Sequence, residues 1–159
     1  MTEHTHHDVC TNCTHEHSLG IAQDIARKSG HRWSETRTQV YHTLLMADKP
    51  VTAYELMDMV AKKYARDVKP ASVYRSLEAL MEIGIVARIE SANAFVACQN
   101  PECNHQHIFL ICNYCGHVDE ISDHGINRQL LKQAAEKGFI ARKQILELHG
   151  QCKDCHVEG

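Results

Sequence analysis

The chain has 159 residues, with 17 Lys and Arg against 20 Asp and Glu, and a formal net charge of −3. This length accommodates one domain or two small ones. No apolar run approaches the roughly 20 residues that span a bilayer, and the first residues lack a basic-then-apolar signal segment, so we expect a cytoplasmic protein with no membrane partner. In a reducing compartment, eight cysteines and 13 histidines indicate metal binding.

The charge is unevenly distributed along the chain. Residues 19–90 carry 11 basic and 9 acidic side chains, whereas residues 91–159 carry 6 and 8, and residues 1–18 carry none and 3. The slightly basic middle therefore permits DNA binding without demonstrating it.

The first 18 residues are rich in His and Cys and have almost no apolar content, which predicts a flexible tail. Cys10 and Cys13, with imidazoles beside them, could hold a third zinc weakly. A tail with no fixed site is an equally good interpretation.

Three amphipathic helices are predicted next. The first runs from Leu19 and ends at Gly30, the second is capped by Ser34, and the third follows a capping box formed by Thr52 and Glu55. Three such helices do not by themselves identify a type of domain, so the identification depends on the helix that follows them.

A fourth helix is predicted from about Pro70 to Ile83. Its apolar stripe consists of Val73, Leu77, Leu80 and Met81. The polar residues expected to face away from this stripe are Ser72, Tyr74, Arg75 and Ser76. A helix-turn-helix protein places such a face in the major groove, where Arg75 could contact guanine and Tyr74 a thymine methyl. Ordinary surface residues are the alternative.

Residues 85–90 and 94–98 predict two short strands around a tight turn. Helices followed directly by a β-hairpin are typical of a winged helix. Arg88 on this wing, and Arg32 and Arg37 near the start of the second helix, are predicted to contact the DNA backbone or minor groove.

Two Cys-x-x-Cys pairs dominate the second half of the chain: Cys112 with Cys115, and Cys152 with Cys155. This pairing is typical of one tetrahedral thiolate zinc site, and two disulfides are the weaker alternative. The 36 residues between the pairs (116–151) predict a strand at 117–121, a helix at about Ile126–Lys137 and a strand at about Lys143–His149. The metal would then hold together the first and last strands of a small α/β unit.

The segment Lys69–Leu77, the wing, the His-rich stretch and the two Cys pairs together resemble the ferric uptake regulator family, above all its zinc uptake regulator branch. The resemblance covers roughly residues 19–156. It implies an α+β chain with a winged-helix DNA-binding domain (19–91), a hinge (92–98) and a zinc-stapled α/β dimerisation domain (99–159). It also implies a homodimeric repressor that binds palindromic operator DNA when loaded with two zinc ions per subunit, and so controls zinc uptake genes.

The same resemblance implies the metal ligands. The four paired cysteines match the structural zinc ligands. The regulatory zinc falls on Cys98, His105 and Glu120. The family's usual fourth ligand falls on Ala87, whose methyl group cannot ligate, so the fourth ligand is Cys103 or His107, and we favour Cys103.

A thiolate in the regulatory site selects zinc over iron or manganese, which prefer nitrogen and oxygen ligands. An iron- or peroxide-responsive regulator of the same family is the alternative, and Cys98 could instead be a buried packing residue. A zinc hydrolase or thiol redox enzyme fits less well, because there is no His-Glu-x-x-His motif and Cys115-Gly116 leads into a predicted strand. We therefore expect no catalysis and no small-molecule substrate.

Overall fold

The computed structural model describes residues 15–98, 101, 108–121, 123–142 and 144–156. The helices are α1 (His15–Lys28), α2 (Glu35–Leu45), α3 (Ala53–Tyr64), α4 (Pro70–Glu82) and α5 (His124–Glu136). The strands are β1 (Val51–Thr52), β2 (Val86–Ile89), β3 (Ala94–Ala97), β4 (Ile108–Cys112), β5 (Val118–Ile121) and β6 (Leu146–Gly150). None of the helices in these ranges is long and apolar enough to cross a membrane.

The first half packs α1 to α4 against a small sheet of order β1-β3-β2. The predicted caps are confirmed: the Ser34 side chain accepts a hydrogen bond from the Arg37 backbone, and Thr52 and Glu55 form a reciprocal capping box. The fully buried side chains of this core include Tyr41, Leu56, Val60, Val73, Leu77, Leu80 and Ile85. Burial of each aliphatic side chain in this set stabilises the fold by about 1.5–3 kcal/mol, so this half has a substantial core of its own.

Helix α1 begins at His15, inside the segment predicted as a flexible tail. Glu16 lies in its first turn, where a negative charge interacts favourably with the helix dipole. The His15 ring also packs edge-on against His42, with 6.4 Å between ring centroids. The tail prediction was therefore wrong for residues 15–18, and residues 1–14 lie outside the described part of the chain.

Residues 92–98 do not form a separate hinge. They complete the wing turn and strand β3, which is hydrogen-bonded to β2 on one side and to β1 on the other, with Val51 opposite Phe95. A strand paired on both sides cannot act as a hinge, so the first unit extends beyond residue 91 to Ala97. The prediction failed because β1 has only two residues and therefore no periodic pattern.

Ser76 was expected on the exposed face of α4, but it is only 4% exposed. Its hydroxyl donates to the Ser72 carbonyl at 2.8 Å, which satisfies the polar atom inside the core. The exposed face of α4 therefore consists of fewer residues than the sequence predicted.

The second half is built around β4, a strand that the sequence analysis did not identify. It lies at the centre of the order β5-β4-β6, antiparallel to β5 and parallel to β6. The final strand starts at Leu146, later than predicted. Helix α5 forms as predicted, but its apolar residues Ile126, Leu130 and Leu131 are each 41–46% exposed to solvent.

The two halves contact each other through a small apolar cluster. Its buried members are Ala87 and Ile89 from the wing and Phe109 from β4, with Val96, Ile111 and Val118 packed around them. The wing therefore lies against one face of the second sheet.

Candidate functional site

The two Cys-x-x-Cys pairs meet because β4 and β6 are parallel neighbours. Cys112 is the last residue of β4 and lies opposite Gly150, the last residue of β6. The Asn113 backbone N–H donates to the Gly150 carbonyl at 2.9 Å. The two strands therefore end side by side, and the chain turns after each of them at the same end of the sheet. Gly116 closes the first turn with a φ of +73°, a conformation that disfavours residues with a Cβ.

The four cysteines form one compact donor set. Their sulfurs all lie within 4.8 Å of one another, and those of Cys115 and Cys152 are 3.7 Å apart. A tetrahedral zinc with Zn–S bonds of about 2.3 Å requires sulfurs about 3.8 Å apart. No disulfide joins these four cysteines in the structure, and one convergent set of sulfurs favours a metal site over two disulfides.

The electrostatics of this cluster also fit a cation. Backbone hydrogen bonds from Cys115, Cys152 and Tyr114 lower the pKa of Cys112 to about 6. Hydrogen bonds among neighbouring sulfurs, first from Cys115 and then from Cys152, raise the pKa of Cys155 to about 12. The four thiols therefore cannot all ionise together unless a positive charge sits among them, as a divalent metal would.

A second potential site joins the two halves of the chain. Cys98 follows β3 in the first sheet, is 3% exposed, and donates from Sγ to Glu120 Oε1 on β5 at 3.5 Å. The backbone N–H of Cys98 donates to the Ile85 carbonyl at 2.9 Å, which fixes the sulfur at the end of the wing. A thiol and a carboxylate from two separate sheets therefore face each other.

Three further ligand candidates, Cys103, His105 and His107, lie outside the described residues, as do Cys10 and Cys13. Ala87 lies in the apolar cluster and is 6% exposed, consistent with its having no ligating atom. The structure thus brings together two of the predicted regulatory ligands and leaves the others as predictions.

The surroundings of Cys98 include two features that the sequence analysis missed. A cavity of about 240 Å³ borders Cys98 and Glu120 and is also lined by His117 and Asp48. Tyr41 is fully buried, and its hydroxyl has no hydrogen-bond partner within the described ranges. Burial, followed by the charge of Cys98, raises the pKa of Tyr41 well above its usual range. No sequence pattern marks either feature, because both arise from the packing of α2 against the wing.

The exposed side chains of α4 form the candidate nucleic-acid interface. Tyr74 is 44% exposed, Arg75 is exposed, and Ser72 is half-buried. In the part of the chain that the structure describes, Arg75 has no ion-pair or hydrogen-bond partner for its guanidinium, which leaves all its donors available.

Two of the other predicted DNA-contacting arginines, Arg37 and Arg88, already have partners for their guanidinium groups. Arg37 donates to the Arg32 carbonyl at the start of α2. Arg88 donates to Asn93 Oδ1 at 2.7 Å and lies 3.5 Å from a Glu90 carboxylate oxygen, so the wing turn holds its guanidinium in place. These arginines suit contacts that position a duplex, whereas Arg75 suits base recognition.

Comparison with known proteins gives consistent matches. Residues 28–149 match the model of the Ferric uptake regulator family. The chain is 32% identical over 143 residues to the zinc uptake regulation protein of Escherichia coli (strain K12), covering 89% of this chain and 83% of that relative. A structure of a zinc uptake regulator complexed with zinc and DNA aligns with a TM-score of 0.83 at 31% identity, covering 91% of this chain and 96% of the other.

A further relative, XcZur, has been solved in two forms. The holo form aligns with a TM-score of 0.80 at 36% identity, covering 89% of this chain and 98% of that one. The apo form, also 36% identical and covering 89% of this chain and 97% of the other, gives a TM-score of only 0.50. The arrangement of the present chain is therefore similar to that of the holo form.

Proposed function

Because this chain belongs to the ferric uptake regulator family, we propose that it is a zinc-responsive transcriptional repressor whose zinc-loaded homodimer binds palindromic operator DNA to control zinc uptake genes. The observation that carries this proposal is the Cys98–Glu120 pair, in which a thiol from the wing meets a carboxylate from the second sheet at 3.5 Å. A site shared between two halves of the chain can couple metal occupancy to their mutual arrangement.

We assign the two metal sites different roles. The sulfurs of Cys112, Cys115, Cys152 and Cys155 would hold a permanent structural zinc, since they fill all four tetrahedral positions. Cys98, His105 and Glu120, with Cys103 or His107, would hold the regulatory zinc. This gives two zinc ions per subunit, and Cys10 with Cys13 could bind a third weakly.

The regulatory response follows from charge at Cys98 and Glu120. In the structure the Cys98 thiol donates to the carboxylate, a bond that needs the thiol proton. Bound zinc would supply the positive charge that allows a thiolate and a carboxylate to share one site. Without the metal, one weak thiol–carboxylate hydrogen bond replaces the metal's bonds to all of its ligands. The arrangement of the halves that binds DNA is then less populated.

The chemistry of both donor sets favours zinc as the sensed metal. The structural set is all thiolate, and the regulatory set contains at least one thiolate, at Cys98. Soft sulfur ligands select zinc over iron and manganese at such sites. The relatives described above are transcription regulators, and we propose no catalytic role for either set.

A homodimer is supported by the apolar surface of the second half. Exposed apolar side chains there include Leu110, Ile126, Leu130, Leu131, Phe139, Ile140 and Leu148. A groove of about 510 Å³ borders Leu110 and Leu148 on the sheet. A second copy would bury this surface and set the spacing between two recognition helices, on which binding of two half-sites depends.

The test is a zinc titration of DNA binding with metal content measured on the same sample. The probe is a duplex enriched from a random-sequence pool by the zinc-loaded protein. We expect affinity for this duplex to rise steeply as the second zinc per subunit binds. The proposal is wrong if dimers holding one zinc per subunit bind equally well. Activation by iron under anaerobic conditions, with zinc inert, would instead favour the iron- or peroxide-responsive alternative.

Replacing Arg75 with alanine should weaken binding to the enriched duplex by about 1–3 kcal/mol, because its unengaged guanidinium is proposed to contact a base. Affinity for an unrelated duplex should change little. Arg27→Ala on α1, which removes the same charge from an exposed ion pair with Asp24, serves as the control in fluorescence anisotropy titrations. An equal loss on both duplexes for Arg75→Ala would show that the residue contacts phosphate only.

A further inference from the structure

Glu147 on β6 forms a second connection between the two halves, separate from the Cys98–Glu120 contact. Its carboxylate accepts hydrogen bonds from the backbone N–H groups of Glu90 at 2.6 Å and of Ser91 at 3.3 Å. Glu90 and Ser91 form the turn of the wing, 57 and 56 residues earlier in the chain. The Glu147 side chain is only 9% exposed, so these bonds are shielded from water.

The carboxylate is held in its charged form by these contacts. Burial raises the pKa of Glu147, but hydrogen bonds from the Ser91 side chain and from the Glu90 and Ser91 backbone outweigh it, and the pKa is lowered overall. His149 Nε2 lies 3.5 Å from Glu147 Oε2, and its Nδ1 lies 3.2 Å from Asn113 Oδ1 in the first cysteine turn. His149 therefore links the Glu147 carboxylate to the turn that carries the first cysteine pair.

The register of the second sheet explains how Glu147 reaches the wing. Glu120 on β5 and Glu147 on β6 both lie opposite Phe109 on β4. Directly opposed residues share a face, so these three side chains form one row that spans about 10 Å across the sheet. Along this row Glu120 meets Cys98, Phe109 packs against Ala87 and Ile89, and Glu147 meets the wing turn.

The row contacts opposite ends of the wing. Cys98 lies beside Ile85 before β2 begins, and Glu90 directly follows the last residue of β2. A contact at one end with an apolar pivot in the middle still permits rotation of the wing about that pivot. Contacts at both ends remove this freedom, because rotation would break one of them.

We propose that Glu147 is a positioning residue that clamps the wing turn onto the second sheet and thereby holds the winged helix in its DNA-binding orientation. The clamp is closed in an arrangement that matches the holo form of XcZur and departs from the apo form. The clamp also affects the position of Arg88, because the Arg88 guanidinium lies 3.5 Å from the carboxylate of Glu90, a residue of the clamped turn. This inference rests on the proposed function, because it concerns the orientation that binds DNA.

The primary test is Glu147→Gln in the full-length zinc-loaded dimer. Glutamine keeps the size of the side chain but removes the charge and turns one acceptor oxygen into a donor facing N–H groups. We expect amide hydrogen exchange at Glu90 and Ser91 to become at least about tenfold faster, since opening now costs less. Affinity for the enriched duplex should fall about tenfold, while zinc content and dimer mass stay unchanged.

A second variant tests the same clamp from the wing side. Ser91 is the second residue of a turn in which the Asn93 N–H donates to the Glu90 carbonyl at 3.3 Å, a position that accepts proline. Ser91→Pro removes one clamp donor and the serine hydroxyl and leaves Glu147 intact. We expect a smaller loss of DNA affinity than for Glu147→Gln, because the shorter bond from Glu90 remains. Glu136→Gln on α5, whose carboxylate is exposed near Lys132, is the matched control.

The outcomes separate this inference from the function on which it rests. If wild-type protein shows no zinc-dependent DNA binding, the proposed function fails. If wild-type protein responds to zinc but Glu147→Gln leaves exchange at Glu90 and Ser91 unchanged, the clamp does not exist in solution. Faster exchange with unaltered DNA affinity would show that the contact exists but does not position the winged helix. Loss of zinc or of the dimer in Glu147→Gln, with wild-type DNA affinity in Ser91→Pro, would also overturn the proposal.

Discussion

Cys115→Ser is expected to unfold the second half of the chain and abolish the dimer. The structural zinc site supplies on the order of 10 kcal/mol in small metal-dependent folds, which is comparable to the whole stability of a typical domain. A serine hydroxyl stays protonated at neutral pH and cannot replace the thiolate. Three sulfurs would then hold the two cysteine turns much less tightly.

The second half has little else to stabilise it. Of the apolar residues that the structure describes there, only Ile108, Phe109 and Cys112 are buried, and Cys112 is itself one of the proposed zinc ligands. Circular dichroism, zinc content and size-exclusion mass should therefore all change in Cys115→Ser. Tyr114→Ser, at a 72% exposed position in the same turn, should leave all three unchanged. A folded, dimeric Cys115→Ser protein with full zinc content would contradict the assignment of these cysteines to a structural zinc site.

The first half of the fold could be predicted from sequence because its signals are local. Ser34 and the Thr52–Glu55 box mark helix starts within four residues, and Pro70 marks the start of α4. Strand β3 was predicted as part of the wing, but residues 92–98 were also assigned to a hinge, because the sequence does not show that β3 pairs with β1, more than 40 residues earlier in the chain. No local pattern records such a pairing.

Strand β4 was missed although its apolar run, Ile108–Ile111, is visible in the sequence. A run of only four apolar residues does not distinguish a strand from a buried helix segment, and the flanking cysteines and histidines carry no periodic pattern that would decide between them. The consequence is substantial, because β4 is the strand that aligns Glu120 with Glu147 and brings the two cysteine turns to one edge.

The candidate sites divide in the same way. The thiolate cluster was predictable because its spacing alone specifies four converging sulfurs. The Cys98–Glu120 pair rested on resemblance, since the two residues lie in different sheets and nothing in their spacing relates them. No sequence pattern indicated that Glu147 contacts the wing, because one acidic residue in a short strand normally faces solvent.

Cys98→Ser should abolish the response to zinc without unfolding the protein. Serine preserves the shape of the side chain but offers no thiolate, so the regulatory site loses its sulfur ligand while the structural cysteines are untouched. We expect zinc content to fall from two ions to one per subunit, with dimer mass and the circular dichroism spectrum unchanged. The coupling between metal binding and DNA binding, typically about 1–3 kcal/mol, should disappear.

Glu120→Gln should give the same result, because the amide lacks the charge that pairs with the metal. Its agreement with Cys98→Ser would show that both residues belong to one site, since the two side chains come from different halves of the chain. Ala97→Ser, which adds a hydroxyl to the residue before Cys98, serves as the control and should respond to zinc as the wild type does. If Cys98→Ser unfolds the chain as Cys115→Ser does, the two sites are not separable. Retention of full zinc-dependent DNA binding in Cys98→Ser would instead leave Cys98 as a packing residue, with the regulatory thiolate to be sought at Cys103.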